Sequence, residues 1–243
     1  MTTHLLRFDP DMGLASQWMA AEGLAENEQA DDGYGWHALL CAAFGKADAP
    51  KPFRIVARRG RPTQLLAYSP LASADLADRA AAFADPKAFS ALGIALLASK
   101  PMPSFAKGRR LGFSLRARPV VRADRDGDRA KSREIDAYVH ARANGDARDK
   151  AEIYLDWVGR KLEAGGAEIE ALRLDGLDSV NILRRAAPGA HGRPLKMIPG
   201  HSIAVVGDLR VADEARFAEI IARGVGRHRA FGFGMLLLSP PEA

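Results

Sequence analysis

Two short segments of the chain hold side chains able to act on a phosphodiester. Tyr34 and His37 lie three residues apart near one end, and Arg227, His228 and Arg229 are consecutive near the other. An imidazole titrates near neutrality and can accept or donate a proton, and guanidinium groups stabilise charge on phosphate oxygens. RNA can be cut without a metal when a base activates its 2′-hydroxyl, an acid protonates the leaving oxygen and cations stabilise the phosphorane.

The C-terminal segment is rich in glycine as well as in cations. Its four glycines are Gly224, Gly226, Gly232 and Gly234. Glycine lets the backbone turn tightly and lets a ligand approach closely, because no Cβ intervenes. The segment follows a predicted helix and precedes a predicted strand, whereas a dinucleotide-binding loop follows a strand and opens a helix. A tight connection with exposed charges is the alternative interpretation.

His37 lies on a predicted helix whose apolar stripe contains Trp36 and Leu40. At about 100° per residue, His37 falls at the edge of that stripe. Tyr34 lies on the same side if the helix begins early enough. The pair is therefore predicted to face one ligand. A histidine beside an apolar stripe is also compatible with a purely structural role.

The frame of two Gly-Φ-Gly motifs (Φ, apolar) separated by five residues resembles the C-terminal signature of the repeat-associated RNA-binding superfamily of CRISPR systems. More narrowly, the chain resembles the CasE endoribonucleases of the type I-E Cascade complex. The segments that carry the resemblance are His4–Phe8, Tyr34–Phe44, Leu111–Arg122, the helix with Trp157, Ser202–Asp213 and Gly224–Pro240.

The resemblance implies a catalytic role for His37, because CasE-like enzymes carry a histidine at the start of this helix, often with a tyrosine just ahead, where Tyr34 stands. His228 is the second candidate for acid–base chemistry. The resemblance further implies a 2′,3′-cyclic phosphate and a 5′-hydroxyl at the cut, with no metal and no cofactor. The protein is then expected to stay on the 3′ hairpin of the guide RNA, together with other Cascade subunits.

Cations that bind the repeat RNA hairpin are predicted in three places. Arg129, Lys131 and Arg133 alternate along a charged excursion (Asp124–Arg133), so they share a face if it is extended. The resemblance has this excursion entering the groove of the RNA hairpin; a solvated charged loop is the alternative. Arg184, Arg185 and Lys196 flank a variable loop. The glycine-rich segment supplies Gly224, Gly226, Arg227, His228, Arg229, Gly232 and Gly234.

The order of predicted elements is β-α-β-β-α-β in each half, with an extra helix early in the chain. Strands are predicted at His4–Phe8, Phe53–Arg58, Gln64–Tyr68, Leu92–Leu97, Leu111–Val121, Ile169–Leu174, Val180–Arg185, Ile203–Val211 and Phe231–Leu238. Helices are predicted at Asp11–Glu22, Trp36–Phe44, Ser73–Phe83 with Ser73 as N-cap, Asp146–Ala164 and a helix that Asp213 caps. The predicted fold class is α+β, with tandem ferredoxin-like (RRM-like) domains at 1–98 and 109–243 joined by a linker at 99–108.

Composition narrows the classes of partner and site. The formal net charge of +5 favours a polyanionic partner. The single cysteine, Cys41, excludes an intramolecular disulfide and a cysteine-rich zinc site. No apolar run approaches the roughly 20 residues of a membrane-spanning helix, and a cytoplasmic protein without a membrane partner is expected.

Two other functions fit the same sequence. The first is a non-catalytic RNA-binding scaffold subunit of a CRISPR effector complex, which shares the fold and the glycine-rich segment without a productive histidine. The second is a ferredoxin-like enzyme or ligand-binding domain unrelated to RNA. Cleavage of a repeat hairpin in EDTA discriminates the first alternative, and salt-dependent hairpin binding discriminates the second.

Overall fold

The described residues form two sheets, antiparallel except for one short parallel pair, with helices packed against them, and a separate two-stranded hairpin. A computed structural model describes residues 2–24, 30–125, 128–185 and 195–242. The first half contains β1 (His4–Phe8), α1 (Met12–Ala21), β2 (Ala30–Asp31), α2 (Gly33–Asp48), β3 (Phe53–Arg58), β4 (Arg61–Ser69), α3 (Ser73–Phe83), α4 (Pro86–Ala91) and β5 (Ala98–Pro101). The second half contains β6 (Arg110–Ala117), β7 (Val120–Arg125), β8 (Asp128–Asp136), α5 (Ala137–Ala143), α6 (Lys150–Ala164), β9 (Ala167–Arg185), β10 (Leu195–Val211), α7 (Glu214–Arg223) and β11 (Leu236–Ser239).

Both sheets have the strand order of a ferredoxin-like unit. The first sheet has the order β3-β4-β1-β5, and the second has the order β11-β6-β10-β9-β2. When β2 is set aside, each order places the first and third strands of a β-α-β-β-α-β unit in the centre. The predicted α+β fold with tandem ferredoxin-like units is therefore confirmed.

Strand β2 belongs to the first half of the chain but pairs with the second sheet. Ala30 and Asp31 lie parallel to Asn181 and Ile182 of β9. This pairing places the start of α2 at the edge of the second sheet. The helix predicted to carry the chemistry is thus anchored to both halves.

Two predictions for the first half are wrong in detail. Ile94–Leu96 forms a 3₁₀ turn where a strand was expected at Leu92–Leu97, and the strand β5 begins only at Ala98. Leu92 and Ile94 are buried, so their apolar character reflects core packing and not strand pairing. The N-cap of α3 is Ala72 in place of Ser73.

Strand β5 pairs with β1 and extends into the segment predicted as a linker. The backbone N–H of Ser73 meanwhile donates to the side-chain oxygen of Ser99, 2.9 Å away, so this part of the segment is held on the first half. The domain limits 1–98 and 109–243 stay predictions.

Three regions of the second half also differ from expectation. The strands predicted at Ile169–Leu174 and Val180–Arg185 are one continuous strand, β9, which pairs along its length with β10. The charged excursion is a hairpin of β7 and β8, followed by a short helix, α5, that was not predicted. The closing strand begins at Leu236, because Phe231–Gly234 belongs to the glycine-rich segment.

The two halves share buried contacts. Tyr68 of β4 is 2% exposed and packs in the core of the second half. Its hydroxyl donates to the carbonyl of Leu236 at 2.8 Å. Arg54 of β3 donates to the Ser114 hydroxyl of β6 at 3.0 Å. No helix in the described ranges is long and apolar enough to cross a membrane.

We expect Tyr68→Phe to destabilise the protein by about 1 kcal/mol, because the variant loses a buried hydrogen bond between the halves without creating a large cavity. The measurement is the free energy of unfolding from urea denaturation. Tyr138→Phe serves as the comparison, since Tyr138 is only half-buried. Equal stability of Tyr68→Phe and the unmodified protein would contradict the expected contribution of this contact.

Candidate functional site

The start of α2 sets the orientation of Tyr34 and His37. The carboxylate of Asp31 accepts from the backbone N–H of Gly33 at 3.0 Å, and that of Asp32 accepts from the indole of Trp36 at 2.9 Å. These contacts begin the helix at Gly33, early enough to include Tyr34. The rings of Tyr34 and His37 therefore lie on one side, with centroids 6.3 Å apart.

The glycine-rich segment packs directly against this helix. The ring of Phe231 lies 5.7 Å from that of Tyr34, 5.5 Å from that of His37 and 6.0 Å from that of His228, measured between centroids. A Cβ on Gly33 would overlap the carbonyl oxygen of Phe231, so the close approach requires glycine. The two segments singled out in the sequence thus meet, although nearly 200 residues separate them.

The glycines serve the conformation of the segment itself. All four adopt positive φ angles, from 74° to 79°. A Cβ on Gly226 would lie 2.7 Å from the ring of Trp157. The backbone N–H of Val225 donates to the carbonyl of Gly234 at 2.8 Å, which closes the loop on itself. His228 is the only described non-glycine residue with a positive φ, 59°.

Glu134 of β8 binds two of the three basic side chains of this loop. The Nε2 atom of His228 lies 2.7 Å from one oxygen of Glu134, and the other oxygen accepts from Arg227. Hydrogen bonding to His228, and then to Arg227, lowers the pKa of Glu134 to about 2. An ionised carboxylate only accepts, so His228 donates through Nε2. The imidazole is 5% exposed.

Arg229 is placed differently from its two neighbours. Its guanidinium donates to the carbonyl of Arg223 at 2.7 Å. Burial lowers the pKa of Arg229, and the nearby charges of Arg223 and Arg227 lower it further. In the described part of the chain no carboxylate lies within 4.0 Å of it. Arg229 thus keeps an unneutralised charge at the loop.

A cavity of about 730 Å³ opens beside this cluster. Its lining residues include Lys51, Glu134, Arg227, Arg229 and Phe231. The cavity is therefore bounded by the β7–β8 hairpin, by the glycine-rich loop and by the segment that follows α2. His37 lies behind the lining residue Phe231 and packs against its ring, with centroids 5.5 Å apart.

His37 lies in a setting that favours its neutral form. Burial lowers the pKa of His37, and the ammonium groups of Lys51 and Lys46 lower it further. The sulfur of Cys41, one helical turn later, lies 3.8 Å from Nδ1 and 3.7 Å from Nε2. A neutral imidazole near pH 7 is able to accept a proton.

An ion pair at the sheet edge holds the start of α2 in place. Arg116 of β6 pairs with Asp31, whose side chain is 7% exposed, and donates to the hydroxyl of Ser202 at 3.2 Å. Its guanidinium carbon also lies 4.5 Å above the centre of the Phe233 ring. Arg116 therefore connects the second sheet, the start of α2 and the glycine-rich segment.

The base of the β7–β8 hairpin is fixed by a second polar cluster. Asp136, the last residue of β8, accepts from the hydroxyl of Tyr154 at 2.8 Å and lies 2.9 Å from Nδ1 of His201. Nε2 of His201 lies 3.5 Å from the Lys150 ammonium. The carboxylate and the ammonium together favour the tautomer of His201 that carries its proton on Nδ1.

The other predicted RNA-binding residues lie on the long strands. Arg133 of β8 and Lys196 of β10 are exposed. Lys196 is paired in register with Arg184 of β9. Arg129 and Lys131 on β8, and Arg184 and Arg185 on β9, lie outside the part of the chain whose side chains the structure describes. Arg133 and Lys196 do not line the cavity at the glycine-rich loop.

The sequence did not single out Lys51, Glu134 or Arg116. Lys51 and Glu134 have no local pattern that marks them, because each acts through partners distant in the chain. Arg116 lies inside a segment that carries the family resemblance, which was the one available signal. Among the described residues, no group of three or more His, Cys, Asp or Glu side chains is arranged to hold a metal ion.

Removing the charge of Lys51 is expected to raise the pKa of His37 toward its ordinary value, because one of the cations that lower it is lost. The measurement is an NMR titration of the His37 imidazole in Lys51→Met. Lys87→Met, a change at an exposed lysine on α4, is the matched control. A titration midpoint of His37 that stays unchanged in Lys51→Met would contradict the conclusion that the Lys51 charge lowers the pKa of His37.

Replacing Glu134 is expected to destabilise the protein near pH 7 by about 2 kcal/mol, the cost of losing charge-assisted bonds in a partly buried cluster. The pKa of Glu134 is lower in the folded state, so its contribution is present above the unfolded value near 4.5 and fades as pH falls toward 2. Denaturation of Glu134→Gln across pH measures this. A stability difference that persists undiminished at pH 2 to 3 would argue against it.

The chain matches a family model described as CRISPR associated protein over residues 12–240. Thermus thermophilus Cse3, in a structure bound to an RNA representing a pre-cleavage complex, is similar with a TM-score of 0.67 and 19% identity, over 99% of this chain and 100% of that chain. A structure of the CRISPR endoribonuclease Cse3 bound to 19 nt RNA gives a TM-score of 0.65 and 20% identity over the same shares. No curated protein matches the chain.

Cas6e from Escherichia coli K-12 is a further similar structure, with a TM-score of 0.52 and 17% identity over 99% of this chain and 100% of that chain. At such identities the likeness establishes the fold, and that fold is the one the CasE resemblance implied. The family model spans nearly the whole chain and includes α2 and the glycine-rich segment. The protein that brings His37 against this basic glycine-rich loop belongs to the CRISPR associated protein family.

Proposed function

We propose that this protein is an endoribonuclease that cuts CRISPR repeat RNA at a phosphate bound between His37 and the glycine-rich loop. The observation that carries the proposal is the meeting of these two segments around Phe231, with His37 on one side of the ring and the loop cations beside it. Cleavage by an internal nucleophile requires a proton acceptor close to cations that bind the phosphate, and His37 lies one ring away from a cavity lined by such cations.

The similar proteins support an RNA substrate. Cse3 is described as a CRISPR endoribonuclease, and its structures hold RNA. Another similar chain, with a TM-score of 0.55, comes from a CRISPR RNA-guided surveillance complex. By extension, this protein stays on the hairpin of the mature guide RNA and joins other Cascade subunits. The net charge of +5 suits a polyanionic partner.

In the proposed reaction the 2′-hydroxyl of the nucleotide before the cut attacks the adjacent phosphorus. His37 accepts the 2′ proton, a role that its lowered pKa suits because the imidazole is neutral near pH 7. The P–O5′ bond breaks as the P–O2′ bond forms, and the leaving 5′ oxygen takes up a proton from solvent water while the 2′ proton stays on His37. The products are a 2′,3′-cyclic phosphate and a 5′-hydroxyl, and the bond changes balance without a metal.

The surrounding side chains stabilise and orient the reacting phosphate. Lys51 and Arg229 lie on the cavity wall and carry charges that the described carboxylates do not neutralise. Extra negative charge develops on the phosphate oxygens in the transition state, so such cations accelerate the step. Tyr34, which packs against His37 and Phe231, orients the imidazole and the reacting groups.

The hairpin of β7 and β8 is the proposed support for the RNA hairpin. It carries Arg129, Lys131 and Arg133, and its base is fixed by Asp136, as described above. An A-form stem offers phosphates and a deep, narrow major groove, so the contacts would recognise shape and backbone more than base sequence. A rigid base would hold these cations at a constant distance from the cavity.

His37→Ala is expected to slow cleavage of a repeat hairpin at least about 100-fold in single-turnover reactions with EDTA, while binding affinity stays within a few-fold. His140→Ala is the matched control, because His140 is an exposed histidine on α5. A substrate with 2′-deoxyribose at the scissile nucleotide should bind and remain uncut. Cutting of that substrate would overturn the internal-nucleophile mechanism.

Binding without cleavage by the unmodified protein would instead identify a scaffold subunit. One feature is compatible with that alternative. Arg227 and His228 are already bound to Glu134, so these contacts hold the loop together instead of binding a phosphate. The assay separates the two functions, because a scaffold protects the hairpin without producing a 2′,3′-cyclic phosphate end. EDTA also inactivates contaminating metal-dependent nucleases, so they cannot account for the cleavage.

A further inference from the structure

A second basic cleft adjoins the cavity at the glycine-rich loop. It has a volume of about 490 Å³ and lies between the C-terminal ends of α6 and α7. Four cationic side chains and one carboxylate line it: Lys161, Arg216, Arg223, Arg229 and Glu219. We call it the α6–α7 cleft. Lys161, Arg216 and Arg223 belong to no motif that the sequence marks as functional.

The cleft lies beside the first cavity. Arg223, Gly226 and Arg229 line both, so the end of α7 and the glycine-rich loop form their common wall. Of the β7–β8 hairpin side chains that the structure describes, Glu134 lines the first cavity and none lines the α6–α7 cleft. A phosphate in the first cavity therefore lies between two basic surfaces, one on the hairpin side and one on the helix side.

The cations of the cleft are only partly neutralised. Arg223 pairs with Glu219, and Arg216 lies 3.6 Å from Asp213 at an exposed position. Lys161 lies over the Trp157 ring at 5.9 Å, and within the described ranges no carboxylate approaches it or Arg229 within 4.0 Å. Positive charges crowded in this way favour an anionic ligand with several charges along its length.

Apolar and glycine residues lie among the charged residues of the cleft lining: Ala164, Gly165, Ile220, Val225 and Gly226. Gly165 packs so closely on Ile220 that a Cβ would overlap its side chain. A lining that combines cations with apolar groups matches a single-stranded nucleic acid, whose sugars and base faces are less polar than its phosphates. A duplex stem is the expected ligand of the β7–β8 hairpin, on the other side of the first cavity.

We propose that the α6–α7 cleft binds the single-stranded RNA that continues past the scissile phosphate, away from the hairpin. This inference rests on the proposed function, because it assumes that a repeat hairpin is bound with its scissile phosphate in the first cavity. The cleft would hold the strand that the cut releases. It would thereby align the leaving 5′ oxygen before cleavage.

The test compares two RNA probes, both with 2′-deoxyribose at the scissile nucleotide. The short probe is the repeat hairpin ending one nucleotide past the scissile phosphate, and the long probe adds eight single-stranded nucleotides. We expect the unmodified protein to bind the long probe roughly tenfold more tightly, the sum of two modest ionic contacts. Lys161→Ala/Arg216→Ala should remove that gain and leave the affinity for the short probe unchanged.

Salt dependence supplies an independent readout. For the long probe, the slope of log affinity against log salt should fall by about 0.7 for each lost phosphate contact, hence by about 1.4 in the double variant. Arg160→Ala is the matched control: Arg160 is next to Lys161 on α6 and pairs with Asp156 at 2.9 Å, but does not line the cleft. It should bind both probes as the unmodified protein does.

The outcomes separate this inference from the proposed function. Equal binding of both probes by the unmodified protein would overturn the inference and leave the nuclease proposal standing. A double variant that loses affinity for both probes alike would also overturn it, since the cleft would then contact the hairpin. Failure of the unmodified protein to bind the short probe would overturn the proposed function and, with it, the inference.

Discussion

The contact between the backbone of Gly33 and the carbonyl of Phe231 brings the two ends of the molecule together. It requires that β2 lie on the edge of the second sheet, beside β9, and that Arg116 hold Asp31 there. Without this arrangement, α2 would present His37 away from the glycine-rich loop and its cations. The proposed chemistry therefore depends on a close approach that only glycine permits.

Carboxylates have a large influence on this basic protein. Asp31 fixes the start of α2, Glu134 holds Arg227 and His228, and Asp136 fixes the base of the β7–β8 hairpin. Each is bound to partners from distant parts of the chain. Their positions decide which basic side chains form ion pairs within the protein and which remain available to bind a ligand. We interpret Lys51 and Arg229 as the cations left for the phosphate.

Much of the fold could be predicted from local patterns. Strands β1 and β3 and helix α3 lie where the periodicity of apolar residues placed them, and Asp213 caps α7 as expected. The failures are informative. In the run at Leu92–Leu97, Leu92 and Ile94 are apolar because they are buried in the core, and burial alone does not distinguish a strand from a turn. Phe231 and Phe233 have the composition of a strand, but the glycines beside them adopt φ angles that no strand accommodates.

The sequence by itself determined the two segments that carry chemistry, the order of the elements and the resemblance to a CRISPR family. These depend on residue type and short spacing, which one chain displays directly. Only the tertiary structure decided that the two segments meet and that Glu134 and Lys51 line the cavity beside them. It also decided that a second basic cleft lies next to the first cavity. The physical reason is that each of these contacts joins residues distant in the chain, and their distances are fixed by sheet pairing and core packing, which local sequence does not encode.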